Sequence, residues 1–165
     1  MSREDKLLVS KIERGTVIDH LPVGLGYKII RMFKDLDKVR SVVASNVESS
    51  KYGRKDIVKI ENRFLTEEEI NILAIIAPRA TINFIENYEV IKKFKPELPK
   101  YITDVIRCPN PKCITNDKKE SKYFDKKILH RTFRIIKKES RILLQCIYCD
   151  TIFDSKEILD LIIFK

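Results

Sequence analysis

Residues 14–36 read RGTVIDHLPVGLGYKIIRMFKDL, and the hydrophobic period changes partway through them. Up to Leu21 the β-branched and aliphatic residues cluster as in a strand, and Gly15 supplies a turn before it. After Pro22 and Gly24, Leu25, Ile29, Met32, Phe33 and Leu36 recur at helical spacing. The preceding KLLVSKI, residues 6–12, is also strand-like, so two strands joined at Gly15 are expected ahead of the helix.

The alternation continues outward. KVRSVVASNV (38–47) and KDIVKIENRF (55–64) read as strands separated by a turn at Gly53. TEEEINILAIIA (66–77) is the clearest helix, with Thr66 and Glu69 spaced as a capping box and Pro78 as its stop. The acidic first turn also suits the helix dipole. ATINFIEN (80–87) and YEVIKKFK (88–95) give two further strands. The order β-β-α-β-β-α-β-β predicts an α+β domain, a mostly antiparallel sheet with both helices on one face. PELPKY (96–101), with two prolines, is a stiff hinge and sets the boundary between residues 1–99 and 100–165. Beyond it the strand-like runs are short and all four cysteines appear.

Composition limits the function classes. Hydrophobic residues make up 44% of the 165, enough for a core, and charged residues make up 35%. No apolar run approaches the ~18 residues of a membrane span. The first ten residues carry mixed charge and no cleavage pattern, so a cytoplasmic location is expected. A net charge of +9 permits nucleic acid, nucleotides or an acidic protein as partners and selects none of them.

The cysteines are more specific. Cys108-Pro-Asn-Pro-Lys-Cys113 is followed by 32 residues and then Cys146-Ile-Tyr-Cys149. Two close pairs on separate turns can bring four thiolates to one tetrahedral centre, which Zn²⁺ favours at about 2.3 Å per sulfur. Disulfides are disfavoured in a cytosolic compartment, and a redox motif would leave the second pair unexplained. Four protein ligands leave no open position, so the metal would fold a small β segment rather than catalyse. The 32-residue gap is long, and residues 117–140 are expected to be an insertion: a lysine-rich loop and one arm of a hairpin.

The Asp19-His20 pair lacks the company catalysis needs. No free thiol remains once a metal takes four cysteines, and neighbours in a strand point to opposite faces. The glycine spacing after Pro22 matches neither a phosphate loop nor a dinucleotide fingerprint. Period-two geometry puts Ile57 with Lys59 on one face and Asn83 with Ile85 on another, with Lys93 just past Tyr88 and Val90. If those faces adjoin Asp19, a pocket suited to a nucleotide results: lysines for phosphates, a carboxylate for ribose, apolar walls for a base. The residues alone leave that pocket and a solvated sheet edge equally open.

RGTVIDHLP, GRKDIVKIEN, APRATINFIENYEV and CPNPKC…CIYC, in this order and spacing, resemble the regulatory chain of aspartate carbamoyltransferase over nearly the whole length. The resemblance implies a ferredoxin-like antiparallel sheet with two helices, a nucleotide-binding allosteric domain over residues 1–99. A small β zinc-binding domain contacting the catalytic chain would follow over 100–165. It implies a non-catalytic subunit whose homodimers link catalytic trimers into a dodecamer, with CTP, ATP and, alongside CTP, UTP as effectors of pyrimidine biosynthesis. Carried over by motif, Asp19 would bind ribose hydroxyls, Lys59 and Lys93 phosphates, and His20 would lie near either. Val9, Ile12, Ile57, Asn83, Ile85, Tyr88 and Val90 would line the base and sugar, with backbone groups of Ile12 and Tyr88 reading the base edge. Cys108, Cys113, Cys146 and Cys149 would hold one structural Zn²⁺, and the loops around Asn110 and Tyr148 would face the catalytic chain. The SKEILDLIIF tail (155–164) goes beyond the family pattern.

The alternative is a zinc-ribbon nucleic-acid-binding protein, which the basic C-terminal segment permits. Against it, there is no aromatic-basic RNP-type pattern, and the lysines alternate with acids. Neither nucleic acid nor a membrane is therefore expected as a partner.

Overall fold

The computed structural model of the chain describes residues 10–33, 35–117 and 130–163. By contacts the chain divides into two units, Met1–Thr66 with Arg79–Pro96, and Glu67–Pro78 with Glu97–Lys165.

The first unit holds β1 (Gly15–Leu21), α1 (Leu25–Met32), β2 (Ser41–Ser49), β3 (Gly53–Glu61), β4 (Thr81–Glu86) and β5 (Glu89–Phe94). The strands form one antiparallel sheet in the order β2-β3-β1-β4-β5. With α2 (Glu67–Ile76) between β3 and β4 in sequence, the run β1-α1-β2-β3-α2-β4 has the split β-α-β connectivity of ferredoxin-like folds. β5 extends it by a hairpin through Asn87 and Tyr88, both left-handed at φ 52 and 64, as a two-residue turn requires.

Period-two alternation sorts the two faces. Thr16, Ile18, Val58, Ile60 and Ile82 are fully buried and share a core with Ile29 of the amphipathic α1. Val17, Ile57, Lys59 and Asn83, one residue out of step, are only half-buried. Gly15 is fixed by close approach: at φ 137, a Cβ there would lie 2.0 Å from the Ile60 carbonyl oxygen.

The strand expected before Gly15 is not found among the described residues. Residues 10–14 are irregular, and residues 6–9 lie outside the described part. Glu13 and Arg14 instead use their carbonyls to accept from Tyr88 N–H and Asn62 N–H.

In the second unit, β6 (Tyr101–Thr103), β7 (Thr132–Lys138), β8 (Arg141–Cys146) and β9 (Ile152–Asp154) form an antiparallel sheet in that order. Ile102, Phe133, Leu144 and Phe153 make its core, with Phe133 and Phe153 meeting edge to face at 5.7 Å. α2 groups here; its acidic first turn leaves Glu67 and Glu68 exposed, while Glu69 and the run Ile72, Leu73, Ala74 and Ile75 are buried. A 3-10 turn over Ser155–Asp160, closed by an Asp154/Glu157 capping box, packs against it.

Residues 117–140, expected to hold a lysine-rich loop and one arm of a hairpin, contain β7, whose hairpin partner is the following β8; residues 118–129, where the loop is expected, lie outside the described residues. The tail also has a partner. Ile162 bridges Ile106, Arg107 N–H donates to the Leu161 carbonyl at 2.7 Å, and Ile163 N–H donates to Val105 at 2.7 Å.

Candidate ligand-binding face and metal centre

The half-buried face of the first sheet collects most of the polar residues picked out from the sequence. Lys59 pairs with Val17, Val17 with Asn83, and Asn83 with Lys93, so β3, β1, β4 and β5 present one lateral row. Directly paired residues of antiparallel strands project to the same side. Asp19 and Ile57 stand two residues along their strands from Val17 and Lys59, on that same side. Ile85 pairs with Val90 and with Gly15, completing the apolar end. Ile12 is buried, and the Tyr88 N–H donates to Glu13 O at 3.0 Å, which seats residues 12–13 beside the β4–β5 turn. Val9 lies outside the described residues. The Lys59 ammonium donates to the Ser10 carbonyl at 3.0 Å, and burial holds its pKa below the ordinary lysine value.

His20 departs from the alternation expected of it. The β1–β3 register shifts between Ile18 and Leu21, and His20 adopts φ 59. That bulge turns His20 back, so its N–H donates to Asp19 Oδ1 at 2.6 Å and its Nδ1 comes within 3.8 Å of Asp19 Oδ2. The stronger partner of Asp19 is Lys55, 2.9 and 3.1 Å from the two carboxylate oxygens. Burial lowers the His20 pKa, Asp19 opposes this, and Lys55, Lys51 and Lys93 add to it. The balance favours the neutral imidazole. Lys55 escaped sequence reading, although it sits two residues before Ile57 on the same side of β3.

The glycines after Pro22 do cradle an anion, and it belongs to the chain. Asp56, fully buried, accepts from Gly24 N–H at 2.8 Å and Gly26 N–H at 3.1 Å through Oδ2. Its Oδ1 accepts from the Ser45 hydroxyl and the Asn46 N–H, both at 2.9 Å. Burial alone would raise this carboxyl, but the four hydrogen bonds outweigh it and hold the pKa below the usual carboxylate value. An α-helix start with no side-chain cap is stabilised by such a charge.

The second unit brings the four cysteines together. Their sulfurs all lie within 4.8 Å of one another, with Cys108–Cys149 at 3.6 Å and Cys113–Cys146 at 3.8 Å. A tetrahedron with bonds of about 2.3 Å has edges of about 3.8 Å, so the set fits one metal ion with four thiolate ligands. All four are free of disulfides. Thr115 and Thr151 hydroxyls lie 3.1 and 3.2 Å from Cys113 and Cys149. Asn116 ties the first loop by donating to the Cys108 and Asn110 carbonyls at 2.8 Å each. Burial raises the Cys108 and Cys146 thiols. For Cys149, hydrogen bonds from Thr151, Asn110 and Cys108 overcome that burial and bring it to about 6.

Comparison with known proteins matches both halves to family models. Residues 7–97 match the allosteric domain, and residues 100–159 the metal binding domain, of the aspartate carbamoyltransferase regulatory chain. The chain belongs to that family. Among its relatives, the regulatory chain of Pyrococcus abyssi is 46% identical over 158 residues, covering 93% of this chain and 97% of the relative. That of Aliivibrio salmonicida is 42% identical over 163 residues, covering 98% and 99%. That of Shigella dysenteriae is 40% identical over 161 residues, covering 96% and 99%. The family is one of regulatory chains with an allosteric and a metal-binding domain, so this chain is a regulatory subunit and not an enzyme in its own right. No helix among the described residues is long and apolar enough to cross a membrane.

Proposed function

We propose that this chain senses CTP, ATP and UTP on the open face of its first sheet and transmits their binding to the catalytic chain of aspartate carbamoyltransferase. The observation that carries the reading is the lateral row Lys59–Val17–Asn83–Lys93 with Asp19 beside it. Cations, an amide and a carboxylate among aliphatic side chains are what a nucleotide's phosphates, base and ribose need. In this reading Asp19 receives ribose hydroxyls, Lys59 and Lys93 the phosphates, and His20 lies near both. Ile12, Ile57, Asn83, Ile85, Tyr88 and Val90 bound the base and sugar, joined by Val9. Lys55 orients Asp19 and adds charge at the phosphate end.

Residues 1–99 then serve as the allosteric domain and 100–165 as the zinc domain. Cys108, Cys113, Cys146 and Cys149 would hold one Zn²⁺, which an all-thiolate tetrahedral set favours. The ion would supply folding energy to a unit too small to rely on its core. Ile114, Ile147 and Tyr148 are exposed on the cysteine loops, and such apolar positions beside a rigid metal knuckle favour a protein contact there. The contact would be the catalytic chain, with homodimers of this chain linking catalytic trimers into a cytoplasmic dodecamer. Effector action is a coupling free energy, typically 1–3 kcal/mol, drawn from unequal nucleotide affinity for two quaternary states.

The test is co-purification with an aspartate carbamoyltransferase catalytic chain, followed by activity measurements as CTP, ATP, or UTP alongside CTP, is added. A stable complex whose activity shifts with nucleotide supports the reading. A complex indifferent to all three nucleotides, or no complex at all, overturns it.

A further inference from the structure

The second cysteine loop is tied to a polar cluster that the metal and nucleotide readings leave unused. Asp104 follows β6 in a left-handed bend, φ 59, and its side chain is only 15% exposed. Its Oδ1 accepts from the Arg131 N–H at 3.0 Å, and its Oδ2 meets His130 Nδ1 at 2.5 Å. Its own N–H donates to the Arg131 carbonyl at 2.8 Å. The His130 carbonyl in turn accepts from the Tyr148 hydroxyl at 2.6 Å, and the Thr132 carbonyl accepts from the Ile147 N–H at 3.2 Å. Ile147 and Tyr148 are the two residues between Cys146 and Cys149, so the cluster and the metal ligands hold the same short loop.

A carboxylate can only accept, so the proton between them sits on His130 Nδ1, and Nε2 of the neutral ring is an acceptor. The His130 side chain is 55% exposed, and its hydrogen bond among the described residues is the one to Asp104. We propose that His130, fixed by Asp104, is a recognition residue for the catalytic chain, its Nε2 accepting a hydrogen bond from an N–H or O–H of that chain. The proposal rests on the reading that the cysteine loops meet the catalytic chain. His130 belongs to that surface because its carbonyl holds Tyr148, which is exposed there with Ile147. Asp104 is the positioning residue: it selects the tautomer and the ring orientation, as carboxylates do behind metal-bound and catalytic histidines. Asp104→Asn keeps an oxygen for the Arg131 N–H but sets an NH₂ against Nδ1. The ring then carries its proton on Nε2, which turns from acceptor to donor and opposes the partner's donor.

Titration of the full, metal-loaded chain with an aspartate carbamoyltransferase catalytic chain, at mildly alkaline pH, tests this with His130→Ala, Asp104→Asn and the double variant. Each single variant is expected to weaken assembly about five- to tenfold. The double variant should lose no more than His130→Ala alone, since Asp104 acts through the ring. Metal content and nucleotide affinity should match the parent in all three. NMR of the imidazole nitrogens should place the proton on Nδ1 in the parent and on Nε2 in Asp104→Asn. Parent affinity in either single variant, a further loss in the double variant, or a proton kept on Nδ1 in Asp104→Asn overturns the proposal. So does loss of the metal in either variant, which would make the cluster structural only. A parent that forms no complex sinks the catalytic-chain reading and this proposal with it, whereas a parent complex that every variant matches sinks this one alone.

Discussion

Replacing Asp56 by Asn keeps the size of the side chain but removes its charge and one of its two acceptor oxygens. In the native chain Oδ2 serves the Gly24 and Gly26 amides and Oδ1 serves the Ser45 hydroxyl and Asn46 amide. Asn in its better orientation keeps an oxygen on the two glycine amides and turns its NH₂ toward Ser45 and Asn46. The Ser45 hydroxyl can rotate to accept, whereas the Asn46 N–H cannot, so one bond becomes a donor–donor contact and the other three become neutral. Hydrogen bonds to a charged group contribute about 1.5–3 kcal/mol each, and Asp56 is 0% exposed, so solvent does not dilute the loss. The expected destabilisation is about 3 kcal/mol, or a fall of about 1.5 M in urea midpoint at an m-value near 2 kcal/mol/M. Because the folded pKa lies below the unfolded value, the carboxylate's contribution is present above about pH 4 and disappears as pH falls through the folded pKa. Urea unfolding from pH 7 to pH 3, with hydrogen exchange at the Gly26 and Asn46 amides, reads both effects. The gap between parent and variant should narrow as the pH falls toward 3. A variant within about 0.5 kcal/mol of the parent at pH 7, or a difference independent of pH, would refute the argument.

Other perturbations report on other parts of the chain. Cys146→Ser removes one of four thiolates and should abolish metal retention and assembly with the catalytic chain while nucleotide titration stays near normal; retained assembly would defeat the structural-metal role. Lys93→Ala should weaken CTP and ATP binding about tenfold by calorimetry, and unchanged affinity removes Lys93 from the phosphate site. Gly15→Ala forces a Cβ to within 2.0 Å of the Ile60 carbonyl at φ 137 and should cost at least about 2 kcal/mol in urea unfolding. A neutral result would mean that β1 and β3 separate easily at that end.

The sequence was most legible where a local rule decides. Alternation of Val17 against Thr16 and Ile18, and of Ile57 and Lys59 against Val58, assigns faces without knowing the fold, because a strand has only two sides. The cysteine spacing predicted a four-sulfur cluster because two close pairs on separate turns suit one tetrahedral four-thiolate centre. Legibility failed where a partner is remote. Asp56 finds Gly24 and Gly26 some thirty residues away, and Lys55 finds Asp19 at a separation of 36. Neither pairing leaves a periodic trace. His20 departs from simple alternation because a bulge at φ 59 interrupts the strand, yet its ring nitrogen stays 3.8 Å from Asp19 Oδ2, beyond hydrogen-bonding distance.

The pairing of the tail with the segment before Cys108 links two closures, one nested in the other. The Ile106–Ile162 bridge closes a loop of about 56 residues, but once a metal joins Cys108 to Cys149 only about 15 flexible residues remain to be closed. Loop entropy scaling as (3/2)RT ln n makes the tail's closure cheaper by about 1.2 kcal/mol when the metal is in place. Linkage is reciprocal, so a docked tail raises metal affinity by the same factor, roughly sevenfold. Residues 161–163 touch no cysteine in the contacts described above, yet they bear on how firmly the four sulfurs keep their ion.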